Sequence, residues 1–225
     1  MQTNLEGVYA VGDVAESFHV ITGKPIYRPM ATTANKMGRI AGDAMTGGML
    51  RFQGILGTGI LRFFDLTIAQ TGLTETEARA EGYEVAVLFN IKPDKPGYMA
   101  GQDMVIKAIA DKLTHRILGV QIIGPQGVDK RIDVFASTIT LGVKAEDLFH
   151  LDLAYAPPFS TTKDAGLYGY GAVQCFKYGI VDDPSGITGF TRKADRYDTY
   201  RCADSRKLRS RSYSWGDSCP FVSTS

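Results

Sequence analysis

Few residues in this chain combine the type and the spacing that chemistry needs. The best placed lie in LEGVYAVGDVAE, residues 5–16, where the apolar run Val8-Tyr9-Ala10-Val11 stops on Gly12-Asp13. A β-type run that ends on Gly-Asp aims one carboxylate, and the glycine lets the backbone come close to whatever Asp13 holds. A Gly-Asp pair on its own is more often just a strand-ending turn. The cysteines, Cys175, Cys202 and Cys219, fit neither a zinc site nor a CxxC redox pair. His19, His115 and His150 stand apart from one another and from every cysteine, so no metal site is expected. GTGILR and GYGAVQ lack the final glycine of a dinucleotide-binding turn, and neither is expected between a strand and a helix. No residue is assigned a catalytic role.

The elements that must position Asp13 can be read around it. MATTANKMGRIAGDAMTGG, preceded by Pro29, carries apolar and small residues at helical spacing and stops at Gly47-Gly48. TGILRFFDLTIAQTGL reads as two extended runs, and TETEARAEG as a short helix with Thr74 and Glu77 at capping-box spacing. YEVAVLFNI, DMVIKAIAD and RILGVQIIG read as strands, the last two joined into a hairpin by KLTHR. VDKRIDVFASTITLGV places Ile132, Phe135, Ala136, Ile139 and Val143 on one helical face. A shorter helix, KAEDLFHL, leads into DLAYAPPFS, where Pro157-Pro158 forbids regular structure. This order describes an α+β fold, an antiparallel sheet with helices on one face.

In order along the chain, VYAVGD, VITGKP and ANKMGRIAG resemble the second flavin-binding segment of the pyridine nucleotide-disulfide oxidoreductases. FQGILGTGILRFFDLTIAQTGLTETEA, GVDKRIDVFASTITLG and DLFHLDLAYAPPFSTTKDA resemble that family's C-terminal dimerisation domain. YAPPFS and GVDKRID point to the branch of coenzyme A-disulfide reductases and NADH oxidases or peroxidases. The resemblance implies a C-terminal remnant of an FAD-binding α/β domain at 1–50 and a dimerisation domain at 52–165, through which the chain would form a homodimer. It implies that Asp13 accepts a hydrogen bond from a ribityl hydroxyl of FAD while Gly12 allows close approach. It also implies that the helix starting at Met30, Ala31 and Thr32 aims its positive end at the flavin ring. Tyr98 in PGYMAG and Tyr155 in YAPPFS fall in loops that the coenzyme A branch places near the active site. A tyrosine in such a domain is otherwise most often a packing residue.

The intact family also needs two Gly-rich nucleotide-binding turns, for FAD and NAD(P)H, and a redox cysteine beside the flavin. None is present in this sequence, so the chain alone is expected to be inactive, with FAD binding in doubt and a non-catalytic dimerisation module as the alternative. The parent substrate, coenzyme A disulfide, oxygen or peroxide, is not legible. Residues 166–225 lack amphipathic period and read as a disordered tail. Their codons, shifted by one nucleotide, permit GMALSNAL, LIDVRT and PGAIAVP, the latter two resembling a rhodanese domain, so a frameshifted translation is expected there. The 225-residue chain is 44% hydrophobic and 22% charged with a formal charge of +1, which gives no steering toward nucleic acid or membrane. Without a visible signal peptide, the default location is the cytoplasm.

Overall fold

The computed structural model describes residues 1–162 and 164. The expected tail, GYGAVQ and all three cysteines lie outside the described residues. The N-terminal segment differs from expectation. Val8-Tyr9-Ala10-Val11 is not a strand: Tyr9 makes a single antiparallel bridge, to Gln2, and Gly12–Val14 is a 3-10 turn. Strand-forming residues need a neighbouring strand along their length, and among the described residues this run has none. A two-residue ribbon follows instead, β1 (Ser17–Phe18) paired with β2 (Pro25–Ile26). Its flank is tied to the chain beyond the first helix, because Ile55 N–H donates to Phe18 O at 2.8 Å and Val20 N–H donates to Ile55 O at 2.9 Å.

Helix α1 (Ala31–Met45) begins two residues after Pro29 and buries Thr33, Met37 and Ala41, which recur every four residues along one stripe. The other face of the helix is polar and open to solvent.

The remaining strands among the described residues are β3 (Gly59–Phe63), β4 (Leu66–Gly72), β5 (Val85–Pro93), β6 (Asp103–Asp111) and β7 (Ile117–Gly124). They form one antiparallel five-stranded sheet in the order β3-β4-β7-β6-β5. The β6–β7 turn is the expected hairpin. Asp111 pins it by accepting from the Thr114 N–H at 3.1 Å and the Thr114 hydroxyl at 2.5 Å. Where the chain passes from β4 to α2 (Glu75–Ala80), Leu73 crosses β7 so closely that a Cβ on Gly119 would strike the Leu73 carbonyl. Only glycine fits there. Helix α2 carries the full capping box: the Glu77 N–H donates to Thr74 Oγ1 at 3.2 Å, and the Thr74 N–H donates to Glu77 Oε2 at 2.8 Å.

Helix α3 (Val128–Thr140) lies on one face of the sheet, against β4 and β7. Its Ile132, Phe135 and Ile139 join Ala69, Ile106, Val120 and Ile122 in the main core. Each fully buried side chain of this size contributes roughly 1.5–3 kcal/mol. A 3-10 turn at Ala145–His150 extends the same layer with Ala145 and Leu148. On the opposite face α2 covers only one end, packing Ala78 with Val85, Ile109 and Leu118. The register leaves Leu61, Phe63, Ile68, Phe89, Val105 and Ile123 on the rest of that face, with Phe63 57% and Phe89 49% exposed.

Candidate functional site

The 3-10 turn that carries Asp13 rests on α1. Gly12 has φ +81°, and its N–H reaches Met37 Sδ at 3.4 Å. A Cβ at Gly12 would stand 3.6 Å from the Ala34 Cβ, so the turn lies directly on the N-terminal half of the helix. The turn closes through the Ala15 N–H and Gly12 O at 3.0 Å, which leaves the Asp13 side chain exposed. Among the described residues the Asp13 carboxylate has no hydrogen bond or ion pair. It is an acceptor held in place by the backbone and free for a ligand.

Beside it, α1 starts without a cap. Met30 is extended and offers no side-chain bond, and the first turn holds no acidic residue. The Ala34 N–H is the first to find a carbonyl, that of Met30, at 3.0 Å. The amide groups ahead of it, at exposed Ala31 and Thr32, sit at the positive end of the helix dipole. The pair therefore offers one carboxylate for a hydroxyl and several N–H donors for an electron-rich edge. That donor set fits a ribityl chain joined to a flavin ring.

Met30 and Thr32 also line an open cleft of about 840 Å³ between α1, residues 51–58 and α3, whose other walls include Lys36, Arg51, Phe52 and Thr140. Gly12, Asp13, Tyr98 and Tyr155 are not among its lining residues. Tyr98 stands on a 3-10 turn, Gly97–Met99, between β5 and β6 and is 76% exposed. Tyr155 is 49% exposed in the loop that follows the Ala145–His150 turn. Neither tyrosine is a core residue. His150 is exposed on that turn, edge-on to Phe149. His19 is buried, which lowers its pKa, and its Nδ1 accepts the Ile21 N–H at 3.2 Å.

One group of consequence was not expected from the sequence. Arg131, in the first turn of α3, is 2% exposed. Its Nε and Nη2 donate to the two oxygens of Asp164 at 3.2 and 2.9 Å, Nη2 also donates to the Asp94 carbonyl at 2.8 Å, and Nη1 donates to the Gly127 carbonyl at 3.1 Å. The signal was in the periodicity: Val128, Arg131, Ile132, Phe135 and Ile139 share the buried arc, and an arginine on that arc requires a distant acid. Among the described residues no group of three or more His, Cys, Asp or Glu could hold a metal ion, and no helix is long and apolar enough to cross a membrane.

Residues 60–165 match the domain family described as "Pyridine nucleotide-disulphide oxidoreductase, dimerisation domain". A CoA-dependent NAD(P)H sulfur oxidoreductase of Pyrococcus furiosus is 48% identical over 165 residues, which cover 73% of this chain and 37% of the relative. A coenzyme A disulfide reductase of Staphylococcus epidermidis is 32% identical over 175 residues, covering 76% of this chain and 39% of the relative. Among solved structures, an NAD-dependent persulfide reductase from A. fulgidus superposes with a TM-score of 0.78 at 34% identity, over 86% of this chain and 36% of that one. Reduced CoADR-RHD of Bacillus anthracis gives 0.73 at 36% identity, over 77% and 32%. The chain thus spans well under half the length of these relatives.

Proposed function

Since the chain belongs to the pyridine nucleotide-disulphide oxidoreductases through the dimerisation domain at residues 60–165, we propose that it supplies part of the flavin site and the subunit-pairing surface of an NAD(P)H-dependent disulfide or persulfide reductase. In this reading residues 1–50 are the end of an FAD-binding domain and 52–165 pair two copies. The observation that carries it is the Asp13 carboxylate, free and exposed, set against the uncapped start of α1. Asp13 would accept from a ribityl hydroxyl, with Gly12 permitting the approach. Met30, Ala31 and Thr32 would present N–H donors to the ring, where a positive helix end favours the reduced, electron-rich form. Bound FAD would supply hydride transfer between NAD(P)H and a disulfide, and the redox cysteine would come from outside this chain. Tyr98 and Tyr155 would meet a substrate such as coenzyme A disulfide. One relative is a CoA-dependent NAD(P)H sulfur oxidoreductase and another a coenzyme A disulfide reductase, and both tyrosines are exposed on loops.

A second reading, a non-catalytic pairing module, is favoured by the uncovered apolar face of the sheet.

Titrating the purified chain with FAD and following flavin fluorescence separates the two. A hydrogen bond to a charged group is worth about 1.5–3 kcal/mol, so Asp13→Asn is expected to weaken binding roughly 10- to 100-fold. Equal affinity in both proteins would sink the role of Asp13. A chain that ignores millimolar FAD yet sediments as a dimer would be the pairing module.

A further inference from the structure

The loops that carry Tyr98 and Tyr155 are far apart in sequence, yet both are fastened to the same turn of α3. Arg131 Nη2 donates to the Asp94 carbonyl at 2.8 Å, at the base of the loop that holds Tyr98. Within that loop Asp94 Oδ1 accepts the Gln102 N–H at 2.7 Å and the Asp94 N–H donates to Gln102 O at 3.0 Å, so its two ends are tied together. Lys95 Nζ adds a bond to Gln126 Oε1 at 3.1 Å, just ahead of α3. The neighbouring Lys130 Nζ donates to the Ala154 carbonyl at 3.3 Å, next to Tyr155. Ser160 Oγ donates to the same carbonyl at 3.3 Å, closing the segment on itself. Asp164 then faces both basic groups, 2.9 Å from Arg131 Nη2 and 3.9 Å from Lys130 Nζ.

We propose that Lys130 and Arg131 are a positioning pair that couples the Tyr98 loop and the Tyr155 loop through one helical turn, so that the two tyrosines are held as one body toward a ligand. What the tyrosines do rests on the reading above; the coupling does not. A planar guanidinium suits this task. It holds Asp164 with two parallel bonds and still directs an N–H to a carbonyl on a different loop, which a single ammonium does not do in one geometry. The division of labour is asymmetric. Arg131 touches the Tyr98 loop and Asp164, whereas Lys130 reaches Ala154 beside Tyr155 and faces Asp164.

That asymmetry supplies the test. The full chain is labelled with 3-fluorotyrosine, and the fluorine resonances of Tyr98, Tyr155 and Tyr83 are assigned from Tyr→Phe variants. Tyr83 packs against the cluster of Ala78, Val85, Ile109 and Leu118 and serves as the control. Lys130→Met is expected to shift the Tyr155 resonance and leave Tyr98 in place. Arg131→Lys is expected to shift both while Tyr83 stays, which general loosening of the fold would not produce. Asp164→Asn keeps the shape but removes the charge that both basic groups face, and it is expected to shift both resonances if Arg131→Lys does not fold. Variants that move Tyr83 together with the other two, or an Arg131→Lys or Asp164→Asn protein in which only one of the two loops responds, would overturn the coupling. Adding coenzyme A disulfide to the labelled wild type reads the ligand role separately. Resonances that respond to the substitutions but not to this probe would remove the assigned substrate and leave the coupling standing.

Discussion

Replacing Arg131 by methionine should cost the domain about 3–5 kcal/mol, the range for removing one partner of a buried ion pair. The structure places the effect in that range. The guanidinium is 2% exposed and Asp164 is 4% exposed, so neither charge is screened by water. Arg131→Met removes two bonds to the Asp164 carboxylate and one each to the carbonyls of Asp94 and Gly127. Methionine replaces the aliphatic stem, so packing is largely kept and the loss is electrostatic. The second half of a double-mutant cycle sharpens the expectation. In Arg131→Met/Asp164→Leu neither charge is left buried, and most of the loss should return. The unpaired Asp94 carbonyl would still cost about 1–3 kcal/mol. Urea unfolding is the assay. With a slope of about 2 kcal/mol/M, the single variant should lower the midpoint by roughly 1.5–2.5 M at unchanged slope. A single-variant loss below about 1 kcal/mol, or a double variant as unstable as the sum of the two singles, would refute the account.

Two further outcomes follow from other parts of the fold. Ile123 lies on the uncovered face of the central strand β7, and Ile123→Lys should leave the far-ultraviolet spectrum unchanged while turning a dimer into a monomer in sedimentation; a persistent dimer would place the pairing surface elsewhere. Thr74→Ala removes the N-cap of α2 and should lose about 1 kcal/mol. Burial would raise the pKa of Glu77, but the Thr74 backbone and hydroxyl bonds outweigh it and the net shift is downward. A depressed carboxyl stabilises the fold above its unfolded pKa and loses that contribution as pH falls through the folded value. The Thr74→Ala loss should therefore shrink on acidification below pH 4.5, and a loss that is flat across the acid range would contradict this origin.

The α+β architecture was legible because its elements are amphipathic with clear stops. Pro29 and Gly47-Gly48 bracket α1, the capping box marks α2, and KLTHR separates two alternating strands. The Val8–Val11 run misled because strand propensity says what a residue tolerates, not whether a partner lies alongside. The sequence reading put Asp13 at the end of a strand, whereas the structure puts it on a 3-10 turn. Arg131 was passed over for a different reason. The helical face was read from its apolar members, Ile132, Phe135 and Ile139, and a charge on the same arc signals only that some acid must meet it. Nothing local pointed to Asp164, which is 33 residues away.

The sheet order has a consequence for the time course of folding. β3–β4 is a hairpin, and β5, β6 and β7 form a meander, so each piece pairs strands that are near neighbours in the chain. Among the described residues only the β4–β7 pairing joins the two, with Gln70 opposite Gln121 at a separation of 51 residues. Non-local pairing must meet its loop-closure entropy before its contacts form, and such contacts dominate the barrier. The two pieces can assemble independently and then dock along this seam. The docking is finished only when Leu73 crosses β7, at the place where Gly119 leaves room for a carbonyl. A side chain at position 119 would hold this seam apart, so the last step of assembly depends on a residue that has none.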